Sequence, residues 1–129
     1  MANPSKRKGT DWESAVKRFL TLSGLPAYRT GSADVGAGDL HYGAGGSWTA
    51  ECKAEARIDL PGYLKQLGAA ISRSGRDDRK AAVWIKNRRH GVPDAYVVMS
   101  AECYRSLAVY VEKLERNLAA LSSEHRESA

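Results

Sequence analysis

The chain has 129 residues, the size of one ordinary domain, and 43% of them are hydrophobic, enough for one real core. Twenty Lys and Arg against fifteen Asp and Glu leave a net charge of +5, which fits a polyanionic partner, nucleic acid being the commonest. Cys52 and Cys103 have neither CxxC nor metal-finger spacing, no stretch approaches the ~18 apolar residues of a membrane span, and the start MANPSKRKGT lacks a signal-peptide core. Zinc-finger, secreted-scaffold and membrane-spanning classes are set aside, and a cytoplasmic protein, at the nucleoid or in a phage-infected host, is expected.

Residues 1–8 are polar and basic and read as a flexible arm. Thr10, with Glu13 three residues on, has the form of a capping box. Trp12, Ala15, Val16, Phe19 and Leu20 then recur at helical spacing until Gly24 and Pro26. Ala27 to Arg29 reads as a short strand. The run from Gly31 to Gly38 is too glycine-rich for regular structure. Asp39 to Tyr42 and Trp48 to Lys53 read as strands of a hairpin with its turn at Gly43 to Gly46.

Asp59 and Pro61 mark a second helix whose buried stripe is Leu60, Leu64, Leu67 and Ile71, with Gly75 at its C-cap. Arg76 to Lys80 reads as a charged loop. Ala81 to Ile85 and Ala95 to Met99 are apolar strand runs, with Pro93 in the turn between them. A last helix covers 101–122, followed by a tail over 123–129. The order is αβββα and then ββα, which predicts a single domain over 9–122: an α/β fold with a central mixed β-sheet flanked by helices.

In a strand, residues two apart point the same way. Trp48, Ala50 and Cys52 therefore share one face, suited to a core, and Glu51 and Lys53 share the other. An acid and a base side by side on a strand face are commonly a surface ion pair. Asp39 shifts that reading, because the hairpin brings it toward Glu51. Two converging carboxylates are costly without a cation between them, and Mg²⁺ prefers such oxygen ligands. With Lys53 alongside, the set suits metal-assisted phosphodiester hydrolysis. Asp34 and Glu55 are rival acidic positions. No phosphate-cradling GxxxxGK[ST], zincin HExxH or GxSxG pattern is present.

Glu13 on the first helix, Gly38-Asp39, Glu51-Cys52-Lys53 and a helix bearing Gln66 resemble, in that order, the PD-(D/E)XK nuclease superfamily. Within it the likeness is to archaeal-type and phage Holliday junction resolvases, which are small, basic and dimeric. The resemblance covers roughly Lys8 to Met99. It implies a restriction-endonuclease-like αβββαβ core, here extended by a C-terminal helix, and a homodimer acting on branched DNA such as a four-way junction. It implies Mg²⁺ or Mn²⁺ as cofactor, held by Asp39, Glu51 and the Cys52 backbone carbonyl, with Glu13 contributing through water. Lys53 would position or activate the attacking water, and Gln66 would stand beside the site. The family's proline before the first aspartate is Gly38 in this chain. Two readings stay open at two positions: Glu13 as ligand or as the arm of the capping box, Gln66 as site residue or as a solvated helix residue. Other nucleases of the superfamily, acting on duplexes or flaps, and a non-catalytic DNA-binding protein with the same fold are the alternatives.

Lys6, Arg7, Lys8, Arg29, Arg73, Arg76, Arg79, Lys80, Lys86, Arg88 and Arg89 are the phosphate-contact candidates, giving affinity without base readout. After Val111 three bases face four acids, so the positive excess belongs to the body of the chain. Tyr104, Leu107, Val111, Leu114, Leu118 and Leu121 follow a 3-4-3-4-3 spacing, a heptad seam of under three heptads. Either the whole stripe docks on its own domain, or its second half pairs with another subunit.

Overall fold

The computed structural model of the chain describes residues 4–30 and 38–128, with side chains over 7–30 and 38–126. The elements run in chain order α1 (Pro4–Leu22), β1 (Ala27–Arg29), β2 (Leu40–Tyr42), β3 (Trp48–Lys53), α2 (Leu60–Ser74), β4 (Ala81–Ile85), β5 (Tyr96–Val98) and α3 (Ala101–Ser128). This is the expected order, an α/β fold on a mixed sheet. The five strands lie in the order β1-β2-β3-β4-β5. β3 and β4 are parallel, with α2 as their crossover, and the other pairs are antiparallel.

The chain divides into two compact units, Met1–Met99 and Ser100–Ala129, a boundary that the sequence reading of one domain over 9–122 did not draw. In the first unit the sheet carries a core on each face. On one, Trp12, Val16 and Leu20 of α1 pack with Leu40, Tyr42, Ala50, Cys52, Ala82 and Trp84. Burying these apolar side chains is the main force holding α1 to the sheet, and the Trp12 indole adds a hydrogen bond to the Trp84 carbonyl at 3.0 Å. On the other face Tyr63 and Leu67 of α2 pack with Ala81, Val83 and Ile85.

α2 begins and ends as its sequence dictates. The Asp59 side chain caps the Gly62 amide at 3.1 Å, a proline occupies the first turn, and Gly75 closes the helix in the left-handed conformation at φ 67°. Its buried residues are Tyr63, Leu67 and Ala70, and Leu64 and Ile71 are partly buried against the same cluster, so of the expected stripe only Leu60, 41% exposed, is corrected. The reason is packing: Tyr63 reaches over the sheet, and Leu60, at the helix start, lies beyond it.

Two further expectations are corrected at the helix ends. Residues 4–8, expected to form a flexible arm, are the first turns of α1. Pro4 suits a first turn, and Lys6, Arg7 and Lys8 are good helix formers, so nothing stops the helix at Thr10. Thr10 is therefore interior, and the capping-box reading of Glu13 falls with it. α3 likewise runs through residues expected to be a tail, as far as Ser128. Among the described residues no helix is long and apolar enough to cross a membrane.

Candidate active site

Asp39 lies just before β2. Its amide donates to the Ala50 carbonyl at 3.1 Å, and one of its carboxylate oxygens accepts the Cys52 amide at 2.7 Å. These bonds hold it beside the C-terminal half of β3. The preceding residue explains why this chain departs from the family's proline. Gly38 has φ 102°, a conformation proline cannot adopt, and a Cβ there would lie 2.6 Å from Thr49 Cγ2. The loop expected over residues 31–38 falls, up to residue 37, outside the described residues, and Asp34 with it.

On β3, parallel pairing sets Glu51 beside Val83 and Lys53 beside Ile85. Both side chains therefore share the sheet face covered by α2, while Ala50 and Cys52 enter the core on the other face. Glu51 is buried, only 4% exposed. It is not half of a surface ion pair. Burial and the neighbouring Asp39 carboxylate push its carboxyl up to about 7, against a smaller opposing pull from Lys53. Glu13 of α1 is raised as well, by burial and then by Asp39, with Arg29 opposing. Asp39 thus stands between two acids from two different elements. Burial, then Asp39, also pushes the Cys52 thiol well above its ordinary range, so Cys52 is a core residue and not a nucleophile. Its carbonyl leaves the same edge of β3 as the amide that Asp39 binds.

Lys53 is held from α2. Its ammonium donates to Gln66 Oε1 at 2.7 Å and lies 5.2 Å from the centre of the Tyr63 ring. The Tyr63 hydroxyl in turn donates to Glu55 at 2.6 Å. Tyr63 and Glu55 thus join the site from behind. Tyr63 is one helical turn before Gln66, and that i, i+3 spacing is the signal that would have found it.

Among the described residues no group of three or more His, Cys, Asp or Glu side chains is arranged to hold a metal ion. The donors nonetheless fit a hard divalent cation bound in an open way. Mg²⁺ uses one or two carboxylates and keeps several waters, and Asp39 with Glu51 supplies those two. A cation beside them would relieve the Asp39 repulsion that adds to burial in raising the Glu51 carboxyl.

The basic candidates separate into two groups. Lys8, Lys53 and Cys52 line one cleft, and Lys8, Lys86, Arg88 and Arg89 line another, with Ala54 and Glu55 common to both. Arg73 lines a third with Glu51 and Gln66. Arg73 thus shares a cleft with Glu51, Lys8 shares one with Lys53, and Lys86, Arg88 and Arg89 share one with Glu55. Arg76, Arg79 and Lys80 precede β4, at the opposite end of the parallel pair. There Arg76 donates to the Gly46 carbonyl at 3.2 Å, Arg79 pairs with Asp77 at 2.7 Å, and Lys80 bonds Ser47 and lies over Trp48. Arg29 is tied to α1 through the Thr10 carbonyl at 3.3 Å and the Ser14 hydroxyl. Arg7 is exposed on α1, and the Lys6 side chain lies outside the described residues.

Compared with known proteins, the chain matches no family model, no curated protein and no solved structure.

Proposed function

We propose that the chain is a divalent-metal-dependent DNA endonuclease of the PD-(D/E)XK type with a restriction-endonuclease-like core, acting on branched DNA such as a four-way junction. The observation that carries this reading is one constellation. Asp39 stands between Glu13 and Glu51, Lys53 is held by Gln66 and shares its strand face with Glu51, Arg73 lines the cleft of Glu51 and Gln66, and Lys8 lines the cleft of Lys53. A structural ion pair needs none of the third acid, the buried second acid or the surrounding cations.

A bound Mg²⁺ or Mn²⁺ would neutralise charge on the scissile phosphate and acidify a water beside it. Asp39 and Glu51 would hold that ion, with the Cys52 carbonyl and, through water, Glu13 completing its shell. Lys53 orients the attacking water or stabilises the charge that develops on the phosphate, and Gln66 and Tyr63 fix where its ammonium sits. Water adds to phosphorus and the 3′ oxygen departs with a proton, leaving 5′-phosphate and 3′-hydroxyl ends. The surrounding cations contact phosphates without reading bases, as recognition of a branched shape requires.

The test is single-turnover cleavage of an end-labelled four-way junction in Mg²⁺, beside linear duplex, splayed-arm DNA and Asp39→Ala protein. Nicks confined to the junction and lost in Asp39→Ala with binding retained support the reading. Equal cleavage of duplex moves the protein to another nuclease of the same type. Binding without cleavage in both Mg²⁺ and Mn²⁺ makes it a DNA-binding module.

A further inference from the structure

The exposed side of α1 carries a further cationic cleft, which the active site does not use. Ser14, Lys17, Arg18 and Thr21 recur at helical spacing, so they share one face of the helix. With Leu22, and with Arg29 of the edge strand β1, they line a cleft of about 490 Å³. Register sets Arg29 opposite Leu40, on the sheet face that α1 covers. Its hydrogen bonds to the Thr10 carbonyl and the Ser14 hydroxyl hold the guanidinium there.

The lining is one-sided in its chemistry. The clefts of Lys53, Arg73 and Lys86 each contain an acid. This one contains three cations, two hydroxyls and no acid. Lys17 and Arg18 are exposed, and among the described residues neither has a hydrogen bond or an ion pair. Three like charges along one cleft repel one another, and an anion among them turns that repulsion into attraction. Cations and hydroxyls together are the groups that take phosphate oxygens.

The place of the cleft selects which phosphates it can take. Arg29 also faces Glu13, opposing the rise of its carboxyl, so the cleft starts where the acid cluster ends. Lys17 is one turn beyond Glu13 on α1, about 6 Å along the axis, a step comparable to that between successive phosphates of one strand. On the other side of Glu13, Lys8 lines the clefts of Lys53 and Lys86. Along α1 the acid at Glu13 therefore has a cationic cleft before it and another after it.

We propose that the α1–β1 cleft binds the backbone of the DNA strand on the side of the cut away from Lys8, with Lys17, Arg18 and Arg29 taking its phosphate oxygens. The identity of the ligand rests on the nuclease reading.

Fluorescence anisotropy of a four-way DNA junction in chelator, across a potassium chloride series, tests it. The wild type is compared with the double variant Lys17→Gln and Arg18→Gln, which keeps helix propensity at two exposed positions and is expected to keep its melting profile. The slope of log K against log salt is expected to shrink by about 1.8, about 0.9 for each of two lost phosphate contacts. Junctions carrying one neutral methylphosphonate linkage at a time then map the strand. A run of adjacent linkages is expected to weaken wild-type binding several-fold and to leave the double variant nearly unaffected. An unchanged slope overturns the proposal, and so does a map in which every linkage weakens both proteins alike. Binding is read without metal, so the two readings fail separately. A wild type that never cuts in Mg²⁺ but shows the slope and map differences keeps the cleft and loses the enzyme, and a wild type that cuts without those differences does the reverse.

Discussion

One oxygen of the Asp39 carboxylate accepts the Cys52 amide at 2.7 Å, so the acid that precedes β2 is fastened to the backbone between Glu51 and Lys53. The bond places Asp39 without using its second oxygen. Asp39→Asn keeps an acceptor for the amide and loses the charge. It is therefore expected to fold normally and to lose cleavage by on the order of 10³-fold, the several kcal/mol that a metal site contributes to the transition state. Calorimetric titration with Mg²⁺ is expected to show weakened binding in the same variant, and unchanged Mg²⁺ affinity there would show that Asp39 is not a ligand.

The raised Glu51 carboxyl makes a stability prediction with a definite sign. The group is protonated in the folded chain up to about 7, whereas its ordinary value is 4.5. Between those values the unfolded chain has already released the proton that the folded chain keeps, so stability falls as pH rises through this window. The loss is complete above about 7 and is on the order of 3 kcal/mol. Thermal melts in chelator between pH 5 and 8 are expected to show a falling Tm in the wild type and a flatter profile in Glu51→Gln. Added Mg²⁺ is expected to restore the wild type at pH 8 and not the variant.

The Lys53 ammonium has two supports on α2. Gln66→Leu removes the hydrogen bond at 2.7 Å, and Tyr63→Leu removes the ring 5.2 Å away. Each is expected to lower single-turnover cleavage by roughly 10-fold, the worth of about 1.4 kcal/mol of lost positioning. Tyr63→Phe, which keeps the ring, is expected to stay within a few-fold of the wild type. Tyr63 is also core, so Tyr63→Leu is expected to lower the Tm as well, and Gln66→Leu is not.

The two groups of cations are expected to behave differently on DNA. Lys86→Ala, Arg88→Ala and Arg89→Ala line the cleft shared with Lys8. Each is expected to weaken junction binding and to reduce the slope of log K against log salt by about 0.9 per lost phosphate contact. Arg76→Ala, which loses the bond to the Gly46 carbonyl, is expected to leave that slope alone and to cost stability. Fluorescence anisotropy across a salt series separates the two outcomes.

Gly38→Pro would restore the residue found before the aspartate in the family that the chain resembles. Here it is expected to damage the site. The backbone at φ 102° is closed to proline, and the new Cβ meets Thr49 at 2.6 Å. A loss of about 1–3 kcal/mol, with cleavage falling alongside, is expected in melts and activity assays.

The features legible in the sequence were those governed by near neighbours. The alternation over Trp48 to Lys53 separates core from site because strand side chains point to opposite faces. Asp59, Pro61 and Gly75 delimit α2 because capping and left-handed backbone are local preferences. The pairing of Asp39 with Glu51 followed from the hairpin, whereas Gln66 was singled out only by the family resemblance. Other features depended on what stands across space. Thr10 looked like a helix start, yet six residues before it continue the helix, since a capping pattern cannot forbid an earlier one. Tyr63 was not singled out in the sequence, and only the fold sets its ring against Lys53. Arg76, Arg79 and Lys80 matched Lys86, Arg88 and Arg89 in composition, and only the parallel β3–β4 pairing put the two groups at opposite ends of the sheet. The sequence by itself determined which elements form and which acids and bases they carry. The tertiary structure decided which of those charges are buried together, because the energy of a charge depends on the groups and the solvent around it and not on its neighbours in the chain.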